Sequence, residues 1–230
     1  MKNFLLLIFL FFANAFFAQV KTLETVFAKS DSLYREDQFY FGITYNRLLK
    51  MPEGMTQNGL SIGVNAGFLR DFPVNKSRTV AIAIGFGFTY NKYHQNLLVT
   101  AANSAYSYVI LDKTPFDRNK FEQVTIDVPL ELRWRNSTPE KHQFFRVYGG
   151  FRLSYLVFDK TKFVSNDFSE KTQNNSDFNK LQYGPTISVG YNTWNFHAFY
   201  GMNPIFKSAF ASGEKLQMSN VNFGLIFYVL

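Results

Sequence analysis

The chain has no cysteine, so it offers neither a disulfide nor a thiolate metal site. It has three histidines, His94, His142 and His197, and none stands at an HxH or HxxxH spacing that would seat a metal. Charge is scattered: 24 Lys plus Arg against 17 Asp plus Glu give a net charge of +7. No basic run marks a nucleic-acid surface. Past the first turn of the chain, no apolar stretch approaches the roughly 20 residues that a spanning helix needs. These absences argue against a disulfide scaffold, a nucleic-acid partner and a helical membrane protein. They also leave no cofactor, no metal ligands and no catalytic motif to name.

The one long apolar run sits at the start. Met1-Lys2-Asn3 gives a positive start, Phe4–Ala13 is apolar throughout, and small residues follow at Ala13-Asn14-Ala15 and Ala18-Gln19. This reads as a secretory signal peptide over residues 1–18, cleaved after Ala15 or Ala18. Residues 19–37 lack any two-residue period and read as a periplasmic leader. Residues 38–230 are left to fold.

That remainder is rich in aromatics, with 28 Phe and 13 Tyr in the whole chain. Its clearest segment is Val80–Tyr90 (VAIAIGFGFTY), where a large apolar side chain occupies every second position. Period two is the signature of a strand, because successive side chains point to opposite faces. Seven further segments alternate similarly: residues 39–49, 60–69, 124–134, 145–157, 183–191, 194–201 and 218–230. Several reach the 9–11 residues, roughly, that a tilted strand uses to cross a bilayer. Connections alternate between short (near Pro73/Asn75, Asn136–Gln143, Asn192-Thr193) and long (near Pro52-Glu53-Gly54, His94–Lys120, Lys160–Leu181, Met202–Gln217). A soluble sandwich would need neither strands this long nor this asymmetry. The prediction is an all-β, transmembrane, antiparallel up-and-down β-barrel of eight strands. It lies in the outer membrane of a Gram-negative envelope, with both termini periplasmic.

The glycine pairs Gly63/Gly67, Gly85/Gly87 and Gly149/Gly150 are one point of likeness to a known group. The others are the Phe-rich leader ending near Phe17-Ala18-Gln19 and the last strand Val221–Leu230. In these the chain resembles the small porin-like outer-membrane β-barrel domain family, of PorT-like type. The resemblance implies the barrel architecture and, because some PorT-like members serve a type IX protein-secretion apparatus, partner proteins in the envelope.

Charged side chains belong inside such a barrel, because lipid is costly for them. Asp127, Glu131, Arg133, Arg146 and Arg152 fall on the inward faces of neighbouring strands and are expected to form a lumen charge network that plugs the barrel. The loop after the third strand carries Leu97, Leu98, Tyr106, Tyr108 and Ile110. That is more apolar than a solvated loop needs, so it is expected either to fold as a hairpin or to dock a partner protein. Tyr90, Tyr93, Trp134, Tyr155, Tyr191, Trp194 and Tyr200 stand at strand ends, as interfacial aromatics do. The leading functional expectation is a non-enzymatic barrel embedded in outer-membrane lipid and acting through envelope partners of a secretion or assembly complex. A small passive porin-like channel is the alternative. A third is a lipid-modifying enzyme using His94 with Ser104 or Ser107.

Overall fold

In the computed structural model, residues 37–102, 105–111, 114–136, 145–166 and 168–229 are described. The signal peptide, almost all of the leader, His142 and Ser104 lie outside the described residues. The strands are β1 (Gln38–Leu49), β2 (Ile62–Pro73), β3 (Val80–His94), β4 (Leu97–Ala102), β5 (Ala105–Ile110), β6 (Arg118–Arg135) and β7 (Phe145–Val164). After them come β8 (Ser169–Gln173), β9 (Leu181–Tyr191), β10 (Trp194–Tyr200), β11 (Phe210–Ala211), β12 (Glu214–Lys215) and β13 (Ser219–Val229).

Eight of these close a ring. β1 pairs with β2 and β13, β2 with β3, β3 with β6, β6 with β7, β7 with β9, β9 with β10, and β10 with β13, all antiparallel. Closure leaves the ring no free edge. All eight predicted segments are ring strands. The strand-pair register places the start of β1 beside the end of β13, Phe39 opposite Val229. The two termini of the barrel therefore share one end with the short turns. β4, β5, β11 and β12 form a separate small sheet at the long-loop end.

Alternation sorts side chains between lipid and lumen. On β3, Ile82, Ile84, Phe86 and Phe88 point outward, whereas Ala81, Ala83, Gly87 and Thr89 are enclosed. On β6 the outward series is Val128, Leu130, Leu132 and Trp134, and the inward series is Asp127, Pro129, Glu131 and Arg133. The β3–β6 ladder lapses opposite Val128-Pro129, where proline brings no N–H to donate. Trp134, Phe145, Tyr191 and Trp194 lie outward near the short-turn end. Tyr45, Tyr90, Tyr155 and Tyr200 lie toward the other. Tyr93 departs from the sequence expectation. It points inward and stacks on Phe121 at 4.7 Å between ring centroids, because Tyr90 had already set the outward parity of β3.

Several ring strands outrun the predicted limits, among them β3, β6 and β7. β7 continues to Val164, and its alternation inverts where the β6–β7 register shifts: Thr125 faces Leu156 while Val124 faces Phe158. One extra residue, Val157, is accommodated as a β-bulge. Before it even-numbered residues are enclosed (Arg152, Ser154, Leu156), and after it odd-numbered ones are (Asp159, Thr161, Phe163).

Candidate functional site

The lumen is filled in layers. At the short-turn end Arg133 is fully enclosed. Its Nη1 donates to Asp71 Oδ1 at 2.9 Å, and its Nε donates to Glu131 Oε2 at 2.9 Å. Arg135 Nη1 donates to the other Asp71 oxygen at 2.5 Å. One carboxylate thus bridges two guanidinium groups, and the backbone N–H of Asp71 donates to Asp37 at 3.0 Å. Aromatic rings add contacts to these guanidinium groups. Arg133 lies 4.6 Å from the Tyr148 ring centre, and Arg146 lies 5.4 Å from that of Tyr228. Cation–π contacts gain strength when desolvated in this way.

Above this layer Arg152 stands over the Phe199 ring at 3.9 Å. Asp127 accepts hydrogen bonds from the Thr125 hydroxyl at 2.8 Å and from the Thr89 hydroxyl. Ion pairing was expected throughout this set, yet hydroxyl donors hold Asp127. Ser188 and His197 Nδ1 are 2.8 Å apart, and the Tyr228 hydroxyl donates to Ser188 at 3.2 Å. Among the described residues no carboxylate hydrogen-bonds to this enclosed Ser–His pair, as the orienting third group of a nucleophilic triad would. Nearer the loops is an amide layer. Asn46 donates to Asn91 at 2.8 Å, Asn222 to the same oxygen at 3.2 Å, Asn220 to Asn222 at 2.9 Å and Asn220 to Tyr93 at 3.1 Å. The cavity among Tyr40, Asn65, Glu131, Arg152 and His197 measures about 20 Å³, room for about one water.

An apolar cap closes the long-loop end. Leu48, Tyr93, Leu97, Tyr108, Phe121, Phe178, Phe206 and Met218 belong to one buried cluster. Phe178 and Phe206 stack at 4.5 Å. A buried polar clasp ties the loops together: Asn175 donates to the Tyr108 hydroxyl at 2.8 Å, which donates to Asp177 at 2.9 Å. Asp159 accepts from the backbone N–H of Asn175 at 2.8 Å.

Burial holds the Asp159 carboxyl above its ordinary range, against the opposing pull of the Asn175 N–H and Lys180. A carboxyl whose folded-state pKa is raised binds more protons folded than unfolded, so stability falls as pH rises through that value. Asp159→Asn is therefore expected to leave the cap at least as stable as the native chain at pH 7 and to confer no advantage near pH 4. Amide exchange of the loops would read this, and faster exchange in the variant at pH 7 would contradict it.

The five residues of the expected charge network, Asp127, Glu131, Arg133, Arg146 and Arg152, are all enclosed in the lumen. Asp71 and Arg135 complete it, and both were missed. Arg70-Asp71 looks like a polar strand end, although Phe72, which is outward, continues the even-numbered outward series past it. Of the five candidate partner residues, Leu97 and Tyr108 are buried in the cap, with Tyr106 and Ile110 packed against it. Leu98 is half-buried. On the same hairpin Val109 is exposed, and so is Phe210 on the neighbouring β11. Ser107 pairs with Thr100 in the hairpin, and no hydrogen bond joins it to His94 among the described residues. There, too, no group of three or more metal-ligating side chains comes together.

A known family matches most of the chain. The family model described as "Outer membrane protein beta-barrel domain" matches residues 17–207. No curated protein matches the chain. Among solved structures, Ail, the attachment invasion locus protein of Yersinia pestis, is 12% identical with a TM-score of 0.35, over 85% of this chain and 99% of that one. A mutant of the Rhodopseudomonas blastica porin is 7% identical with a TM-score of 0.22, over 85% of this chain and 100% of that one.

Proposed function

The chain belongs to the outer membrane protein β-barrel domain family, and from that premise we propose a closed, non-enzymatic barrel that acts through partner proteins in the envelope. One observation carries this reading: the lumen is filled by enclosed side chains and its long-loop mouth is covered by a packed apolar core. A conducting pore needs a continuous wet path, and a cavity of about 20 Å³ does not supply one. The reading puts the long loops outside the cell and the termini in the periplasm, following the rule that short turns are periplasmic. The outward side of the cap, with Val109 and Phe210 exposed, is the proposed docking face. The sequence resemblance to PorT-like proteins supports a secretion or assembly complex, of type IX kind, as the partner.

Two measurements on the same preparation test this. In planar bilayers the purified protein is expected to give no steady conductance. In mild detergent it is expected to co-purify in fixed proportion with envelope proteins. Steady conductance would return the porin-like reading, and a protein that always runs alone would remove the partner reading.

A further inference from the structure

Above the lipid-facing band, the extended ends of β3, β6 and β7 and the short β8 carry two rows of outward side chains. In the upper row His94, Lys120, Lys162 and Lys171 lie directly opposite one another on four consecutive strands. In the row below stand Lys92, Glu122, Lys160 and Gln173. Their outward direction follows from their neighbours: Tyr93, Phe121, Asp159, Thr161 and Thr172 are the enclosed residues between them. The next row down is Tyr90, Val124 and Phe158, where the lipid-facing surface begins. Arg118 stands one row above.

Five lysines and one carboxylate therefore share two rows. Glu122 is committed to an ion pair with Lys120. Like charges directly opposite in a sheet are destabilising, and Lys120, Lys162 and Lys171 repeat that arrangement across three strands. Such a row carries more positive charge than Glu122 offsets, and a polyanion beside it relieves the remaining repulsion. Its height, immediately above the outward Tyr90 and Phe158, is that of lipid headgroups. At one end the patch opens into a cleft of about 440 Å³ lined by Asn58, His94, Gln95, Asp117, Arg118 and Asn119.

We propose that this patch binds the clustered phosphates of a lipid headgroup in the leaflet that meets the long-loop end. Lysines act on phosphate as point charges, so a row of them follows a multiply phosphorylated headgroup without demanding one fixed orientation. The cleft beside His94 and Arg118 takes the adjoining polar part of the headgroup. Burial, and then Lys92, Lys120 and Arg118, hold the His94 imidazole below its usual range, with Glu122 pulling the other way. A bound phosphate adds negative charge to this neighbourhood and raises the His94 pKa.

The test uses the full barrel in neutral-detergent micelles doped with bisphosphorylated lipid A, with its dephosphorylated form, or with inorganic phosphate alone. Adduct retention in native mass spectrometry and the His94 titration by NMR are the readouts. The native chain is expected to retain bisphosphorylated lipid A and to show a raised His94 pKa. The K120Q/K162Q/K171Q variant is expected to lose roughly fivefold in affinity per lysine, on the order of a hundredfold in all. In plain neutral detergent the same variant is expected to stay folded, because the repulsion it relieves offsets the Lys120–Glu122 pair it removes, and this distinguishes loss of binding from loss of fold. Equal retention by the variant, or equal retention of the dephosphorylated lipid, overturns the proposal. Inorganic phosphate alone raising the His94 pKa and displacing the lipid overturns the lipid assignment in favour of a soluble anion. The inference shares with the proposed function the placing of this end at the cell surface, which is tested separately. The chain has no native cysteine, so Ser169→Cys labelling by an impermeant maleimide on intact cells reports which side β8 faces. Failure there removes the orientation and leaves the micelle result standing.

Discussion

Asp71→Ala is expected to destabilise the barrel by about 3–5 kcal/mol, the usual cost of removing one partner from a buried ionic cluster. Asp71 is fully enclosed and accepts from both Arg133 and Arg135. Truncation leaves two positive charges facing one another with their shared counter-charge gone, in a space that admits little water. Glu131→Gln is the informative comparison. Glu131 accepts from Arg133 alone among the described ion pairs and keeps slight exposure, so its replacement by a neutral hydrogen-bonding group is expected to cost about 1 kcal/mol. Urea unfolding in micelles, followed by the mobility difference between heated and unheated samples on a gel, reads both. The Asp71 variant should move the midpoint by about 1–2 M, given slopes of a few kcal/mol per molar. If the two variants unfold together, the bridging role assigned to Asp71 is wrong and the charges are held by the aromatic rings alone.

The ring was legible because its information is local. A strand buried on one side and in lipid on the other must alternate, so Val80, Ile82, Ile84, Phe86 and Phe88 announce both the strand and its outward face. Loop lengths announced the antiparallel order in the same way. Legibility failed where the alternation was broken or was never the controlling factor. The bulge at Val157 inverts parity, so the rest of β7 looked like loop. At β2 the adjacent pair Arg70-Asp71 hid an inward acid behind an outward base. The cap was invisible for a deeper reason. Its contacts join residues far apart in sequence, such as Tyr108 with Asn175 and Phe178 with Phe206. No period in the chain encodes which loop lies over which. The apolar hairpin Leu97–Ile110 was noticed for its composition, but only the fold reveals that its large side chains close the barrel.

Gly85→Leu is expected to abolish most assembly into the membrane, while Ile84→Leu leaves assembly intact within about 0.5 kcal/mol. Ile84 is outward and half-exposed, and a leucine there meets only lipid. At Gly85 even a β-carbon would lie 2.0 Å from the carbonyl oxygen of Phe68 and 3.0 Å from Leu69 Cα. Those are backbone atoms of the paired strand β2, so the strand itself has to shift, and overpacking of this kind in a closed ring is not relieved at an edge. The small residues of this face make room for particular neighbours. In the fold a β-carbon on Gly87 would sit 2.0 Å from the Tyr40 hydroxyl, and one on Gly67 would sit 2.6 Å from it. The glycines admit the phenol of Tyr40 and the backbone of β2, and Ala83 packs with Tyr40 and Leu69. A further contrast follows: Gly87→Ala should be partly rescued by Tyr40→Phe, which removes the colliding oxygen, whereas Gly85→Ala should not be. The fraction of heat-modifiable, folded protein in the membrane pellet measures all of these variants. Equal tolerance of Gly85→Leu and Ile84→Leu would show that β3 does not approach β2 as closely as this register demands.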